Sequence, residues 1–319
     1  MNLSKLKYID IETNIGGAAK IPLSYYIEGP GLDKGPVVLI NHPLTANAFF
    51  SGSEGWWNQI VGPRKVIDTN FFNVISFNIP GNGIDSYRWD SIDEIHTGHI
   101  AKLFLEGVKK IGISEIFAII GGSIGGGISW EMVAIFPTIC KHLIPIASDW
   151  KSTDWVIANT FIQKKILENS NDPIRDARMH AMLMYRSHES LKSRFKRTKK
   201  GKSNLFNIES WLIHHGQALK DRFTLRGYLT VNHLLGKIDI LRNKQEFDSL
   251  MLPVSSQIHI ISINSDLLFL ANENKITYNR LKKLGKICSY FEINSIHGHD
   301  AFLIENMQIK TILSAIFNK

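Results

Sequence analysis

A serine set among glycines constrains this chain more than any other feature. The stretch reads Ile119-Ile120-Gly121-Gly122-Ser123-Ile124-Gly125-Gly126-Gly127. An apolar run, residues 116–120, precedes the serine, and an amphipathic stretch, residues 128–136, leads to Pro137. A strand that passes into a helix through so tight a turn needs small neighbours, because larger side chains collide there. Such a turn projects the serine hydroxyl and aims the first N–H groups of the helix at developing negative charge. The pattern is G-x-S-x-G with Ser123 at its centre, and its flanks supply the strand and the helix that the motif requires.

The same alternation runs through the first half of the chain. Residues 7–12 alternate polar and apolar and predict an edge strand, and residues 21–27 read similarly. Residues 37–40, 72–77, 116–120 and 142–147 are short continuous apolar runs, the signature of strands buried on both faces. Residues 92–111 and 128–136 have helical spacing. Repeated strand–helix units predict an α/β fold around a mostly parallel sheet. After Asp149 the pattern changes to helical spacing and basic loops. Strands return at residues 257–263 and 289–293, with a helix near 272–284 between them. The expected organisation is one α/β core, residues 1–149 and 243–319, interrupted by a helical insertion over residues 150–242.

Composition removes several classes. At 44% hydrophobic, 21% charged and 10% aromatic, the 319 residues are neither a disordered nor a fibrous sequence. Two distant cysteines, Cys140 and Cys288, cannot form a disulfide framework or a four-thiolate zinc site, and they suit a reducing, cytoplasmic setting. Residues 1–12 carry no apolar leader, and no apolar run is long enough to span a bilayer, so no membrane association is expected. The net charge of +8 would attract anions. Its densest run, Arg194, Lys196, Arg197, Lys199, Lys200 and Lys202, lacks interleaved stacking aromatics beyond Phe195 and reads as a solvated loop rather than a nucleic-acid site. The histidine pairs His96/His99 and His214/His215 read as structural, and no metal is expected.

A serine hydroxyl needs a histidine base, and the base needs a carboxylate to hold its tautomer. On an α/β sheet of this kind the chain order is serine, acid, histidine. Asp266 follows the predicted strand 257–263, where open sheets place their chemistry. The strand 289–293 leads to Ser295-Ile296-His297-Gly298-His299-Asp300, and either histidine could reach the site. The oxyanion of an acyl transfer needs two N–H donors. One is the amide after the nucleophile, Ile124. The other belongs to the loop Asn41-His42-Pro43-Leu44-Thr45-Ala46-Asn47, in which His42 reads as an ordinary loop histidine.

Taken together, these segments resemble the homoserine O-acetyltransferases, acyltransferases of the α/β-hydrolase superfamily. His42-Pro43-Leu44-Thr45-Ala46 resembles that family's H-A-L-T-G loop. Gly55-Trp56-Trp57, Val61-Gly62-Pro63 and Ile67-Asp68-Thr69 resemble its next segments, and Gly121-Gly122-Ser123-Ile124-Gly125-Gly126 resembles its G-G-S-M-G-G elbow. Ala177-Arg178-Met179, Tyr185-Arg186-Ser187, Arg194-Phe195, Arg222-Phe223 and Tyr228-Leu229 follow in order, and Gly298-His299-Asp300-Ala301-Phe302-Leu303 is unchanged. The likeness runs from about residue 20 to 305. Pro43, Ala46 and Ile124 depart from the family pattern, and residues 78–85 do not carry its G-S-T-G-P-like stretch.

The resemblance implies an α/β-hydrolase fold whose insertion forms a helical lid, and a triad of Ser123, Asp266 and His299. It implies oxyanion-hole amides from Leu44 and Ile124. It assigns Arg178 to the homoserine carboxylate, Asp300 to the ammonium and Tyr185 to the pocket wall. From the residues alone, Arg178 could form a helix-surface salt bridge and Asp300 could cap a helix starting at Ala301. The implied reaction moves an acetyl group from acetyl-CoA, a co-substrate rather than a resident cofactor, to L-homoserine by a ping-pong route, as in methionine biosynthesis. A homodimer through the lid helices is also implied, with Trp150, Trp155 and Trp211 available to an interface or a core. The same machinery would serve an esterase or thioesterase, a succinyl-CoA donor or another hydroxy amino acid.

Overall fold

The computed structural model describes residues 3–201, 204–242 and 246–317. Ten strands are formed among them: β1 Lys7–Glu12, β2 Lys20–Glu28, β3 Val37–Asn41, β4 Val61–Gly62, β5 Ile67–Asp68, β6 Asn73–Phe77, β7 Ile116–Gly122, β8 Cys140–Ile146, β9 Gln257–Ile263 and β10 Cys288–Ile293. Eight of them make one sheet in the order β1-β2-β6-β3-β7-β8-β9-β10, while β4 and β5 pair separately. β2 runs antiparallel to both β1 and β6, and every later pairing in the large sheet is parallel. The parallel strands therefore end on one edge, and the loops after β3, β7, β9 and β10 meet there.

The central strands are apolar throughout because both faces are covered. Val37 and Leu39 enter the core on one face, while Val38 and Ile40 enter the core on the other. The first core includes helices α1 Thr97–Ile111 and α2 Ile124–Ile135 and extends into the insertion. Ile309, Leu313 and Phe317 of the last helix close the second core. Each fully buried aliphatic side chain contributes roughly 1.5–3 kcal/mol.

The helix expected over residues 92–111 begins later, at Thr97. His96 is extended and its ring accepts the His99 N–H, so it caps α1 and stacks on His99 at 3.6 Å. Ile92 and Ile95 instead pack into the core from the preceding turns.

Five helices follow β8: α3 Asp154–Asn169, α4 Pro173–Tyr185, α5 His188–Phe195, α6 Asn207–Lys220 and α7 Leu225–Leu235. The short α8 Phe247–Met251 precedes β9, α9 Ala271–Lys283 joins β9 to β10, and α10 Ala301–Ile304 and α11 Asn306–Phe317 end the described chain. The expected return to the core at residue 243 and Lys202 of the basic run lie outside the described residues. Two buried polar groups anchor the base of the helical segment. Asp149 accepts the Trp150 N–H at 2.8 Å and the Thr277 hydroxyl of α9 at 3.0 Å. Glu131 of α2 pairs with Arg242 at 2.8 Å. Trp150 and Trp211 are buried, whereas Trp155 lies on the surface with its indole N–H donated to the Leu267 carbonyl. Among the described residues, no helix is long and apolar enough to cross a membrane.

Candidate active site

Ser123 sits between β7 and α2 in a backbone conformation that few side chains adopt, with φ 56° and ψ −126°. That geometry costs on the order of 1–3 kcal/mol and must be imposed by its surroundings. The Ser123 N–H is tied to the Ile146 carbonyl of β8 at 2.9 Å, and its own carbonyl accepts from Gly126 and Gly127. Gly125 permits the closest approach in the turn. A Cβ at that position would lie 2.1 Å from the Asn41 carbonyl oxygen and 2.8 Å from that of His42. The loop after β3 therefore rests directly on the first turn of α2. As the first residue of α2, Ile124 has an N–H without a partner inside the helix.

The loop after β3 turns at Pro43–Ala46, closed by the Ala46 N–H to the Pro43 carbonyl at 3.0 Å. His42 is not the ordinary loop residue its sequence position suggests. It is buried, accepts the Ile79 N–H at Nε2 and approaches the Pro43 carbonyl with Nδ1 at 2.9 Å. Since Nε2 accepts, Nδ1 carries the proton and donates. Burial pushes the ring down to about 4 against the Pro43 hydrogen bond, so it stays neutral and pins the turn to the loop after β6. From the opposite side Arg222 donates to the Thr45 carbonyl at 2.8 Å. Sequence reading matched Arg222-Phe223 to a family segment without giving it a role. A basic residue at the entry to α7 was the available signal.

Asp266 follows β9 and is buried. Its Oδ1 accepts the N–H groups of Leu268 and Phe269 at 2.7 and 3.0 Å, which leaves Oδ2 aimed at His299 Nδ1, 2.7 Å away. His299 is the histidine paired with an acid. His297 bonds elsewhere, to Arg186. Burial opposes ionisation of His299, but the carboxylates of Asp266 and Asp300 outweigh it and hold the ring above the ordinary histidine value.

Ser123 and His299 share one pocket with Leu44, Tyr185, Arg178, Asp300 and Arg222, and its volume is 480 Å³. The guanidinium of Arg178 lies over the Tyr185 ring at 5.3 Å, and Tyr185 faces His299 at 5.7 Å. Arg178 forms no ion pair among the described residues, so the helix-surface salt bridge does not occur. Asp300 precedes α10 but its side chain makes no capping bond. Burial raises its carboxyl above the ordinary value, partly offset by Arg178, His299 and Arg186. The pocket thus holds a buried serine and an acid-paired imidazole. The same pocket holds the Arg178 guanidinium and the Asp300 carboxyl.

A family model described as alpha/beta hydrolase fold matches residues 36–216. The homoserine O-acetyltransferase of Methanococcus vannielii is 31% identical over 90% of this chain. The chain spans 66% of that relative, just under two thirds of its length. Further relatives of the same name match at 29% identity. Among solved structures, a homoserine O-acetyltransferase from Bacillus anthracis superposes with a TM-score of 0.86 at 18% identity, covering 99% of this chain and 98% of that one. Esterase E22 superposes with a TM-score of 0.86 at 15% identity, covering 98% and 99%. At such identities the superpositions establish the fold. The chain belongs to the α/β-hydrolase fold family, and the homoserine O-acetyltransferases are among the proteins it is similar to.

Proposed function

We propose that this chain is an O-acyltransferase that moves an acetyl group from acetyl-CoA to the hydroxyl of L-homoserine. The observation that carries the reading is the presence of two opposite charges, Arg178 and Asp300, in the pocket that holds Ser123 and His299. An amino acid presents a carboxylate and an ammonium a few ångströms apart. A guanidinium suits the first and a carboxylate the second. His299, oriented by Asp266, takes the proton from Ser123, whose oxygen attacks the thioester carbonyl. The amides of Leu44 and Ile124 receive the oxyanion, each such donor being worth about 3–4 kcal/mol in the transition state. Coenzyme A leaves as its thiol, and His299 then takes the proton of the homoserine hydroxyl as that oxygen attacks the acyl-serine. The helical segment excludes water, which would otherwise compete as acceptor. Methionine biosynthesis in the cytoplasm is the corresponding setting, and the unbridged Cys140 and Cys288 are consistent with it.

The deciding experiment is thiol release from acetyl-CoA with and without L-homoserine, run beside Ser123→Ala. Release that needs both homoserine and Ser123 supports the transferase. Ser123-dependent release indifferent to homoserine would replace it with a hydrolase, and release from succinyl-CoA alone would change the donor.

The same reading includes a homodimer through the helical segment. α3 exposes Trp155, Ile157, Phe161 and Ile162, four large apolar groups on one helix. Phe161→Asp should convert a dimeric mass by light scattering into a monomeric one. An unchanged mass would remove α3 from the interface.

A further inference from the structure

The loop that carries His299 follows β10, the last strand of the sheet, which has a neighbour on one side only. Strand pairing therefore fixes it less firmly than the elbow in the centre. Two other sets of contacts hold it. From the acid side, the Ser265 hydroxyl donates to the Ser295 carbonyl and accepts the Gly298 N–H at 3.0 Å. From the helical side, the corner between α4 and α5 presses against it. The Ser187 hydroxyl donates to the Ile296 carbonyl, and Arg186 Nη2 donates to His297 Nδ1 at 2.9 Å. A Cβ at Gly298, where φ is 68°, would lie 2.8 Å from both the Ser187 nitrogen and the Tyr185 oxygen. The two backbones are in direct contact.

Arg186 is 7% exposed. Its bonded partners are neutral: Ser190 Oγ, reached by Nε at 3.2 Å and Nη2 at 2.6 Å, and the His297 ring. Burying a guanidinium against neutral groups costs more than burying an apolar side chain of the same size. What the guanidinium adds is direction. It has donors and no acceptor, so it donates and His297 accepts at Nδ1, which fixes the orientation of the ring. One residue, Gly298, separates that fixed ring from His299. The other charged groups that bear on the clasp are Asp300 in the same loop, Arg178 on α4, Arg194 on α5 and His215 on α6.

We propose that Arg186 and His297 are positioning residues that hold His299 against Asp266, so that the helical segment completes the triad as well as covering it. The inference rests on the reading of Ser123, Asp266 and His299 as nucleophile, orienting acid and base. It does not depend on the acyl donor or acceptor.

The test is hydrolysis of p-nitrophenyl acetate by the full chain, by Arg186→Met and Arg186→Lys, and by His297→Leu and His297→Asn. His297→Leu and Arg186→Met should lower kcat by about a hundredfold, the cost of a small misplacement of the base. KM should change less than about threefold, because the lost interaction acts in the transition state. The acid limb of kcat/KM should move to lower pH, since a ring drawn away from Asp266 loses the partner that holds it above the ordinary value. His297→Asn offers an amide oxygen to Arg186 and should recover activity to within about tenfold of the starting chain. The asparagine and leucine variants share any general cost of losing the ring, so their difference isolates the hydrogen bond. Full activity in His297→Leu would overturn the proposal, as would an unshifted acid limb without rescue by asparagine. Absence of Ser123-dependent turnover in the starting chain would instead overturn the triad reading and the clasp with it.

Discussion

The serine and the histidine of this site are held by opposite means. Ser123 is fixed by its immediate surroundings: glycines on both sides, the Ile146 carbonyl of the neighbouring strand and the backbone of the loop after β3. His299 follows an edge strand and is fixed by groups remote in sequence. Asp266 lies 33 residues before it, and the next-but-one residue, His297, is bonded to Arg186 across 111 residues. A strained serine needs rigid packing, because nothing but packing can impose its backbone angles. The histidine must instead keep one ring nitrogen on an acid and the other free, which directed side-chain bonds accomplish.

The comparison breaks first at Asp266. In Asp266→Asn the amide oxygen can still accept from Leu268 and Phe269, so the loop should keep its shape. The amide nitrogen would then face His299 Nδ1 and force the proton to Nε2, where the ring can no longer act as a base. Turnover of an activated ester should fall about ten-thousandfold, near 5 kcal/mol of barrier, with little change in melting temperature. A loss below tenfold would mean that His299 does not depend on its acid. Gly125→Ala tests the other side. Its Cβ meets a backbone oxygen, which cannot rotate away. Destabilisation of about 3 kcal/mol is expected, read as a fall in the thermal midpoint, together with loss of turnover as the loop after β3 is pushed from Ser123. An unchanged midpoint would show that the elbow yields more easily than its packing implies.

The same contrast explains what was legible in the sequence. Apolar runs are local, so β9 occupies the predicted residues 257–263 and β10 begins one residue before the predicted 289. The elbow was legible for the same reason, since its glycines are adjacent to the serine they serve. Contacts of long range left little trace. Nothing near His42 in sequence announces that it is buried against the Ile79 amide, and nothing near Arg222 announces a bond to Thr45 across 177 residues. The start of α1 was misplaced because His96 is an uncommon cap whose ring, rather than a short polar side chain, accepts the free amide. Asp300 fitted a capping pattern by position, yet it makes no capping bond and lines the pocket together with Arg178 of a distant helix. His297 and His299 were separable only by the resemblance, because each follows the same strand and their different partners lie elsewhere in the chain.

Asp149 offers the smallest and sharpest adjustment, because it stands where the two kinds of construction meet. It follows β8 by three residues and reaches Thr277 on α9, with the Trp150 indole donating to the same hydroxyl at 3.1 Å. Burial pushes its carboxyl from 3.8 up to about 7, although Trp150, Thr277 and Asn274 favour the charged form. Between those values the folded chain keeps a proton that the unfolded chain has released. Stability contributed by this group is therefore greatest at low pH and declines as pH rises toward the folded value. Asp149→Asn removes the ionisation while keeping an oxygen for the Trp150 N–H. It should match the starting chain near about pH 5 and exceed it by about 2 kcal/mol near about pH 8, read from thermal midpoints at the two conditions. Ester turnover at Ser123 should stay within about twofold, since Asp149 faces α9 and not the pocket. A gain that did not grow with pH would mean that the carboxyl is charged throughout and that the root of the helical segment is held by its hydrogen bonds alone.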